Sequence, residues 1–333
     1  MKSILSTLVA ASTLALLTAC GGDGGDSVSQ STPTVSISSV NQNDVARATV
    51  NGGLDVALAQ GALGNGEAAA PDSASRSHAL DLVVRRAIES VSQRRAVASA
   101  DVHALAAHTA TNDCAAGGTV ASTFDDKDGN QQLTSGDVIT AVFTQCRESA
   151  TLIVNGTVVV TMSATPTSTL FTAAAQFQNV SVADASSTST VSGTVAVSEV
   201  DSDTRSDSTI LVGSGGLNVA VVSSGYNDTI SFLQGFQIVT SEAVNGSTSS
   251  VSVSGAMNAT SINGRVTLST PVALSQADAD AYPSSGQVLV TGASGSKLLL
   301  TVLSNSQVKL ELDTNGDGTI DNTSTVAWST LVP

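Results

Sequence analysis

Aromatic side chains are scarce in this chain: one Trp, two Tyr and six Phe, 3% of 333 residues. That is far below what the two aromatic girdles of an outer-membrane barrel require. It also leaves too few rings, Trp328, Tyr226 and Tyr282 among them, for a sugar-stacking platform. Basic residues are scarce as well, 13 Lys and Arg against 28 Asp and Glu, for a formal charge of −15. From Cys114 to Pro333 eighteen acids face six bases, a surface that repels nucleic acid and anionic headgroups. The histidines are His78, His103 and His108, and the five-residue step between the last two puts that pair poorly for a shared metal on one helix face. All three read as surface residues. There is no GxSxG, HExxH, Walker-type or GxGxxG sequence, and Gly213-Ser-Gly-Gly216 lacks the context of a phosphate loop.

What is present starts with an export pattern. MKSILSTLVAASTLALLTAC carries one basic residue, Lys2, an uncharged apolar run from Ile4 to Leu17, and small residues ending at Cys20. The run is too short for a membrane span, and no later stretch approaches eighteen uncharged apolar residues. Residues 1–19 are therefore expected to be a signal peptide. Leu17-Thr18-Ala19-Cys20 resembles the lipobox of bacterial lipoproteins. The resemblance implies cleavage before Cys20, a diacylglyceryl group on its thiol and triple acylation, so that several acyl chains give stable membrane anchoring. In Gram-negative lipoproteins an Asp after that Cys favours inner-membrane retention; here the residue is Gly21, which by the same resemblance implies the outer membrane. Residues 20–41, opening GGDGGDSVSQSTPTV, read as the lipidated Cys and a flexible tether.

With Cys20 committed to lipid, Cys114 and Cys146 are left as a pair in an oxidising compartment and are expected to be bonded. Neither has a neighbouring His or a CxxC partner that would suggest a catalytic or metal-binding thiol. Residues 42–112 are Ala-rich and read as a helical segment. In HALDLVVRRAIESVSQRR the residues Leu80, Val84, Ala87, Ile88 and Val91 form one apolar stripe beside Arg85, Arg86, Glu89 and Arg94, with Ser77 as N-cap. Arg76 and Arg95 complete a basic cluster, read as a solvated helix face or as a docking surface for anionic lipid or glycan.

From about residue 113 the pattern changes to short alternating segments rich in Val, Thr, Ile, Leu and Phe, separated by turn residues. Around a dozen such strands with short connections imply a mainly β domain over 113–333, antiparallel because crossover helices are missing. The expected architecture is a large curved sheet, half-barrel or sandwich, with the helical segment covering its concave face. Val154-Asn155-Gly156-Thr157, Val191-Ser192-Gly193-Thr194 and Val253-Ser254-Gly255-Ala256 recur in similar contexts, and Gly156, Gly193 and Gly255 are expected to bend or bulge the sheet. Their unequal intervals argue against a solenoid or propeller.

Two acidic loops are the candidate chemistry. Asp313-Thr-Asn315-Gly-Asp317-Gly-Thr319-Ile-Asp321 resembles the EF-hand calcium loop over nine positions, with oxygens at 1, 3 and 5, Gly at 6, an offered carbonyl at 7 and Asp at 9. It departs at position 12, where Ser324 stands in place of a bidentate Glu. Asp126, Asp128, Asn130 and Asp137 repeat the pattern at 1, 3, 5 and 12, with Leu133 at 8 and Thr134 at 9, although Gly129 falls at position 4 and Gln131 occupies the turn position. The competing explanation is hairpin-turn chemistry alone. If a calcium ion binds, its role is structural. Thr119–Phe124 paired with Val138–Phe143 would make the 126–137 loop a hairpin tip, with Cys114 and Cys146 stapling the hairpin base.

The sequence thus points to a lipid-anchored cell-envelope protein with a non-enzymatic binding or structural role. It meets the membrane through its anchor, does not bind nucleic acid, and faces a protein, a glycan or an apolar ligand. The alternative is a calcium-stabilised adhesion or glycan-binding module, which calls for the acidic loops on one exposed rim. An envelope hydrolase, with two carboxylates facing each other across a cleft, ranks third.

Overall fold

The computed structural model of the protein describes residues 32–54, 87, 108–147, 149, 151–185, 187–223, 225–243, 248–277 and 280–332. The expected signal peptide, Cys20 and the arginine-bearing helix stripe lie outside these residues, apart from Ala87, which is helical and fully buried. The described chain is mainly strand, as the alternating segments imply.

Helix α1 (Gln42–Thr49) buries Gln42, Val45, Ala46 and Thr49, an i, i+3, i+4, i+7 stripe. Asp44 in its first turn and Arg47 in its last complement the helix dipole. A π-helical turn continues it through residues 50–54. The strands are β1 (His108–Asp113), β2 (Thr119–Asp125), β3 (Val138–Arg147), β4 (Ile153–Met162), β5 (Leu170–Ala183), β6 (Ser187–Asp201), β7 (Arg205–Ser223) and β8 (Tyr226–Phe232). They continue as β9 (Gln237–Ala243), β10 (Thr248–Ala259), β11 (Gly264–Ala277), β12 (Ser285–Thr291), β13 (Lys297–Ser304), β14 (Gln307–Asp313) and β15 (Asn322–Ala327), before the helical turn α2 (Trp328–Leu331).

All fifteen form one antiparallel sheet in which neighbours in sequence are neighbours in space. β8 and β9 share one strand position: both pair with β7, β8 with Leu217–Ser223 and β9 with Arg205–Leu211. TISFLQGFQIV, residues 229–239, has the apolar content of one strand but is broken at Leu233–Phe236, where Gly235 takes φ 84°.

One face is buried from β2 to β14. Val158, Val160, Ile230, Phe232, Val266, Leu298 and Leu310 are each at most 1% exposed, at every second position of their strands. Where the alternation breaks, extra residues have been inserted. In β3 the inward set is Ile139, Ala141 and Phe143, then Cys146; the register shifts between Phe143 and Cys146, where Gln145 takes φ 48°. That bulge is what turns the Cys146 thiol inward.

The bulges line up across the sheet. Gly156, Asn179, Gly193, Gly216, Gly255 and Gly286 all have positive φ, and register shifts run from the β3–β4 pair to the β11–β12 pair. A Cβ on Gly156 would lie 2.5 Å from the Asn179 carbonyl, and one on Gly193 would lie 2.3 Å from that of Gly216. These glycines let adjacent strands approach along a transverse crease, and such bulges bend a sheet and raise its twist. The expectation for Gly156, Gly193 and Gly255 holds.

The curvature is visible in what the helical segment touches. The Asn51 amide donates to the Leu331 carbonyl of α2 at 3.0 Å, just past β15. A Cβ on the adjacent Gly52 would lie 2.9 Å from Ile230 on β8. β8 and β15 stand six strand spacings apart, about 29 Å across a flat sheet. The sheet therefore curls around the helix.

Two boundaries differ from expectation. β1 starts at His108, inside the span read as helix, because Thr109 and Thr111 alternate against Thr123 and Ala121 of β2. The tether does not extend to residue 41. The N–H groups of Thr34 and Val35 donate to the Arg265 carbonyl, and Ala293 N–H donates to the Val35 carbonyl. These bonds fix that stretch to β11 and to the β12–β13 turn.

Because each strand reverses, turns fall at two ends of the sheet. The β1–β2 turn, with the disulfide, shares its end with the β10–β11, β12–β13 and β14–β15 turns. The β2–β3, β4–β5, β6–β7 and β13–β14 turns share the opposite end.

Candidate functional site

The hairpin of β2 and β3 pairs Val120 with Phe143 and Phe124 with Ile139, so residues 126–137 form its tip. At its base Cys114 and Cys146 are joined, with Cα atoms 5.4 Å apart. Gly118 is needed there, since a Cβ would run into the Gln145 carbonyl.

The tip is built from carboxylates that cap backbone N–H groups. Asp126 accepts from Gly129 N–H at 2.8 Å and Gln131 N–H at 2.6 Å. Asp128 accepts from Asn130 N–H at 3.0 Å and from the Thr134 hydroxyl at 3.0 Å. Asp137, fully buried at the foot of the loop, accepts from Lys127 N–H at 2.9 Å and Thr134 N–H at 2.7 Å. Gly136 N–H donates to the Met162 carbonyl, which moors the foot to the end of β4.

The consequence is a triad. One oxygen from each of Asp126, Asp128 and Asp137 lies within 4.8 Å of the others. Calcium–oxygen distances of about 2.3–2.6 Å put two ligands of one ion up to about 5 Å apart, so this spacing fits a shared cation. A carboxylate oxygen carries two lone pairs, so accepting an N–H bond leaves capacity for a metal. Lys127, the cation within the loop, pairs instead with Asp125 outside the triad. Asn130 sits beside the triad and donates its amide to Asp128 at 2.6 Å, while its own carbonyl oxygen accepts from Gln132 N–H at 2.5 Å.

The 313–321 loop folds by the same chemistry to a different end. Asp313, 3% exposed, accepts from Gly316 N–H at 2.7 Å and Gly318 N–H at 2.9 Å. Asp317 accepts from Thr319 N–H at 2.7 Å, then from the Asn315 amide, and these bonds hold its carboxyl below the usual range. Asp321 is held low by the Thr314 hydroxyl and N–H, against burial and the nearby Asp317 charge. Thr319 spends its N–H on the turn. Among the described residues the three-carboxylate group is the one at 126, 128 and 137, so Asp313, Asn315, Asp317, Thr319 and Asp321 make a turn without gathering three acids.

The two loops lie at opposite ends of the sheet, 126–137 between β2 and β3 and 313–321 between β14 and β15. They do not share a rim.

One cluster escaped the sequence reading. Asp228 on β8 is 1% exposed and accepts from the Tyr226 hydroxyl, the Thr260 hydroxyl and both N–H and hydroxyl of Ser261. Burial pushes its carboxyl up, but those bonds outweigh it and the net direction is down. The carboxylate thus ties β8 to the β10–β11 turn. Tyr226-x-Asp228 was the only local signal; the other donors stand more than thirty residues away.

No family model matches the chain, and neither a curated protein nor a solved structure matches it.

Proposed function

We propose that the chain is a lipid-anchored protein of the bacterial cell envelope, acylated on Cys20 and held at the outer membrane, with a non-enzymatic binding or structural role. The observation that supports it is where the folded body begins. The described body starts at Thr32, twelve residues past the lipobox Cys, and Thr34 and Val35 are already bonded to Arg265 and Ala293. A lipid on Cys20 would hold that body at the membrane through a short connection. The buried carboxylates Asp137, Asp228 and Asp313 are each engaged by donors that close turns, a structural use of charge.

The alternative, a calcium-stabilised adhesion or glycan-binding module, draws on the Asp126, Asp128 and Asp137 triad. It loses the argument from a shared rim, since the second acidic loop faces the other way.

Mass spectrometry of the N-terminal peptide from detergent-extracted protein tests the main reading. It should find an acylated Cys20, and Cys20→Ala should shift the chain to the aqueous phase of a detergent partition. An unacylated N-terminus, or a Cys20→Ala chain that still partitions with detergent, would sink it.

A further inference from the structure

We infer that the disulfide end of the sheet faces the membrane and that the acidic opposite end points away from it. This rests on the reading of Cys20 as the lipid site, and it adds which surface meets the bilayer. Three observations carry it.

The chain joins the body at the disulfide end. Thr34 and Val35 donate to the Arg265 carbonyl, Arg265 N–H donates back to the Thr34 hydroxyl, and Ala293 N–H donates to the Val35 carbonyl. The contact is close: a Cβ on Gly264 would lie 2.6 Å from Val35, and one on Gly292 would lie 2.5 Å from the Val35 carbonyl. Arg265 opens β11 and Ala293 lies in the β12–β13 turn, both at that end.

The reach of the connection is limited. Twelve steps separate Cys20 from Thr32, which span about 40 Å only when fully extended. From Arg265 to Ala277, along β11 to the opposite end, is also about 40 Å at roughly 3.3 Å per residue. Standing the opposite end on the bilayer would pull the connection taut along the whole strand. With the disulfide end down, no such extension is required.

Charge separates the same way. The opposite end carries Asp126, Asp128, Asp201, Asp203, Asp207 and Asp280 in and beside its turns, with Lys127 and Arg205 as counterions. Among the described residues the disulfide end carries Arg147, Arg265 and Lys297 beside Asp113, Asp184, Asp317 and Asp321, with Asp228 and Asp313 buried, a smaller excess of acid than at the opposite end. Anionic headgroups repel the first surface more strongly than the second.

The test uses the full lipidated protein with one added thiol, Cys114 and Cys146 being bonded to each other. Ile320→Cys places it in the 313–321 loop and Ser168→Cys in the β4–β5 turn; both residues are exposed. Each is labelled with a donor fluorophore and reconstituted into phosphatidylethanolamine–phosphatidylglycerol vesicles carrying a headgroup acceptor. Energy transfer should be several-fold stronger from position 320 than from 168. Protein that floats with the vesicles but transfers equally from both positions, or more strongly from 168, overturns the orientation and leaves the anchor standing. Protein that does not float, with Cys20 intact, overturns the anchor and the orientation with it.

Discussion

Replacing Gly193 by Ala is the sharpest test of the transverse crease. Two costs act at once. The backbone there takes φ 133°, which a residue with a Cβ adopts at a cost of about 1–3 kcal/mol. The new Cβ would also lie 2.3 Å from the Gly216 carbonyl oxygen and 2.8 Å from Leu217 Cα. Both are backbone atoms of β7, so no rotamer change relieves the contact. Strands β6 and β7 must separate locally, which weakens the flanking pairs Ser192 with Asn218 and Val195 with Val212. Overpacking of this kind costs about 1–3 kcal/mol, and each ladder bond lost adds about 1 kcal/mol. With one ladder bond lost the sum is about 3–7 kcal/mol, a large fraction of the 5–15 kcal/mol typical of a folded domain.

Gly215→Ala supplies the control. Gly215 also has positive φ, 93°, but nothing lies within 4 Å of its Cβ position, so only the conformational cost applies. Urea unfolding of the mature chain with Cys20→Ser can be followed by fluorescence of Trp328, the single Trp, 2% exposed in the fold. The Gly193→Ala midpoint should fall below that of Gly215→Ala by about 2 kcal/mol or more after multiplication by m. Coincident midpoints would refute the claim that close backbone approach at 193 shapes the sheet.

Three further outcomes follow from the same geometry. Calcium at a hundredfold excess over its dissociation constant should stabilise the fold by about 2.7 kcal/mol; Asp128→Asn should abolish the gain and Asp317→Asn should not, whereas identical melts in calcium and EGTA would remove the ion from the site. Changing both Cys114 and Cys146 to Ser opens a link of sequence separation 32 and should cost about 3–4 kcal/mol by loop-closure entropy, read as a lower urea midpoint; an unmoved midpoint would mean that the hairpin base holds without the staple. For Asp228 the folded value lies below the ordinary 3.8, so its contribution is fully present above pH 3.8 and is lost as pH falls through the folded value. Asp228→Asn should therefore flatten stability against pH below that point, and parallel curves for the two proteins would contradict the assignment.

The β2–β3 hairpin was legible because three local signals agree there: alternation on both sides, an Asp- and Gly-rich tip, and a Cys on each flank. The first half of β7 is not legible, for the opposite reason. Arg205-Ser-Asp-Ser carries charge and small polar residues, and Gly213-Ser-Gly-Gly216 reads as a loop, yet pairing of 206–212 and 217–223 with β6 carries the strand through both. STVAWSTL alternates like a strand to its end, but the chain turns at Trp328, whose indole N–H donates to the Ser304 carbonyl and whose backbone N–H donates to that of Ser306. No periodicity within the segment encodes those partners. In the acidic loops the useful signal lies at one position. A cation shell has to close on itself, and position 12 is where it closes. That position is a carboxylate in Asp137 and a hydroxyl in Ser324, and the triad forms at the first.

The scarcity of aromatics also fits the way the interior is filled. A sheet that curls around an Ala-rich helix needs small side chains where the two backbones approach. Ala46 and Ala48 on α1 are fully buried, and Gly52 sits so close to Ile230 that a methyl group there would force that side chain to shift. The two rings Phe232 and Phe236 stand on either side of the β8–β9 break, with centroids 4.6 Å apart. Gly52 lies against the first ring and Gly255 against the second, so glycines on separate elements clear the space that these rings occupy. A chain with bulky residues at every inward position could not bring helix and sheet this close. Burial by Val and Ala at 0–2% exposure on strand after strand supplies the apolar area that few rings cannot, at roughly 25 cal/mol for each Å² removed from water. In this fold glycine placement, more than side-chain bulk, determines where the curvature falls.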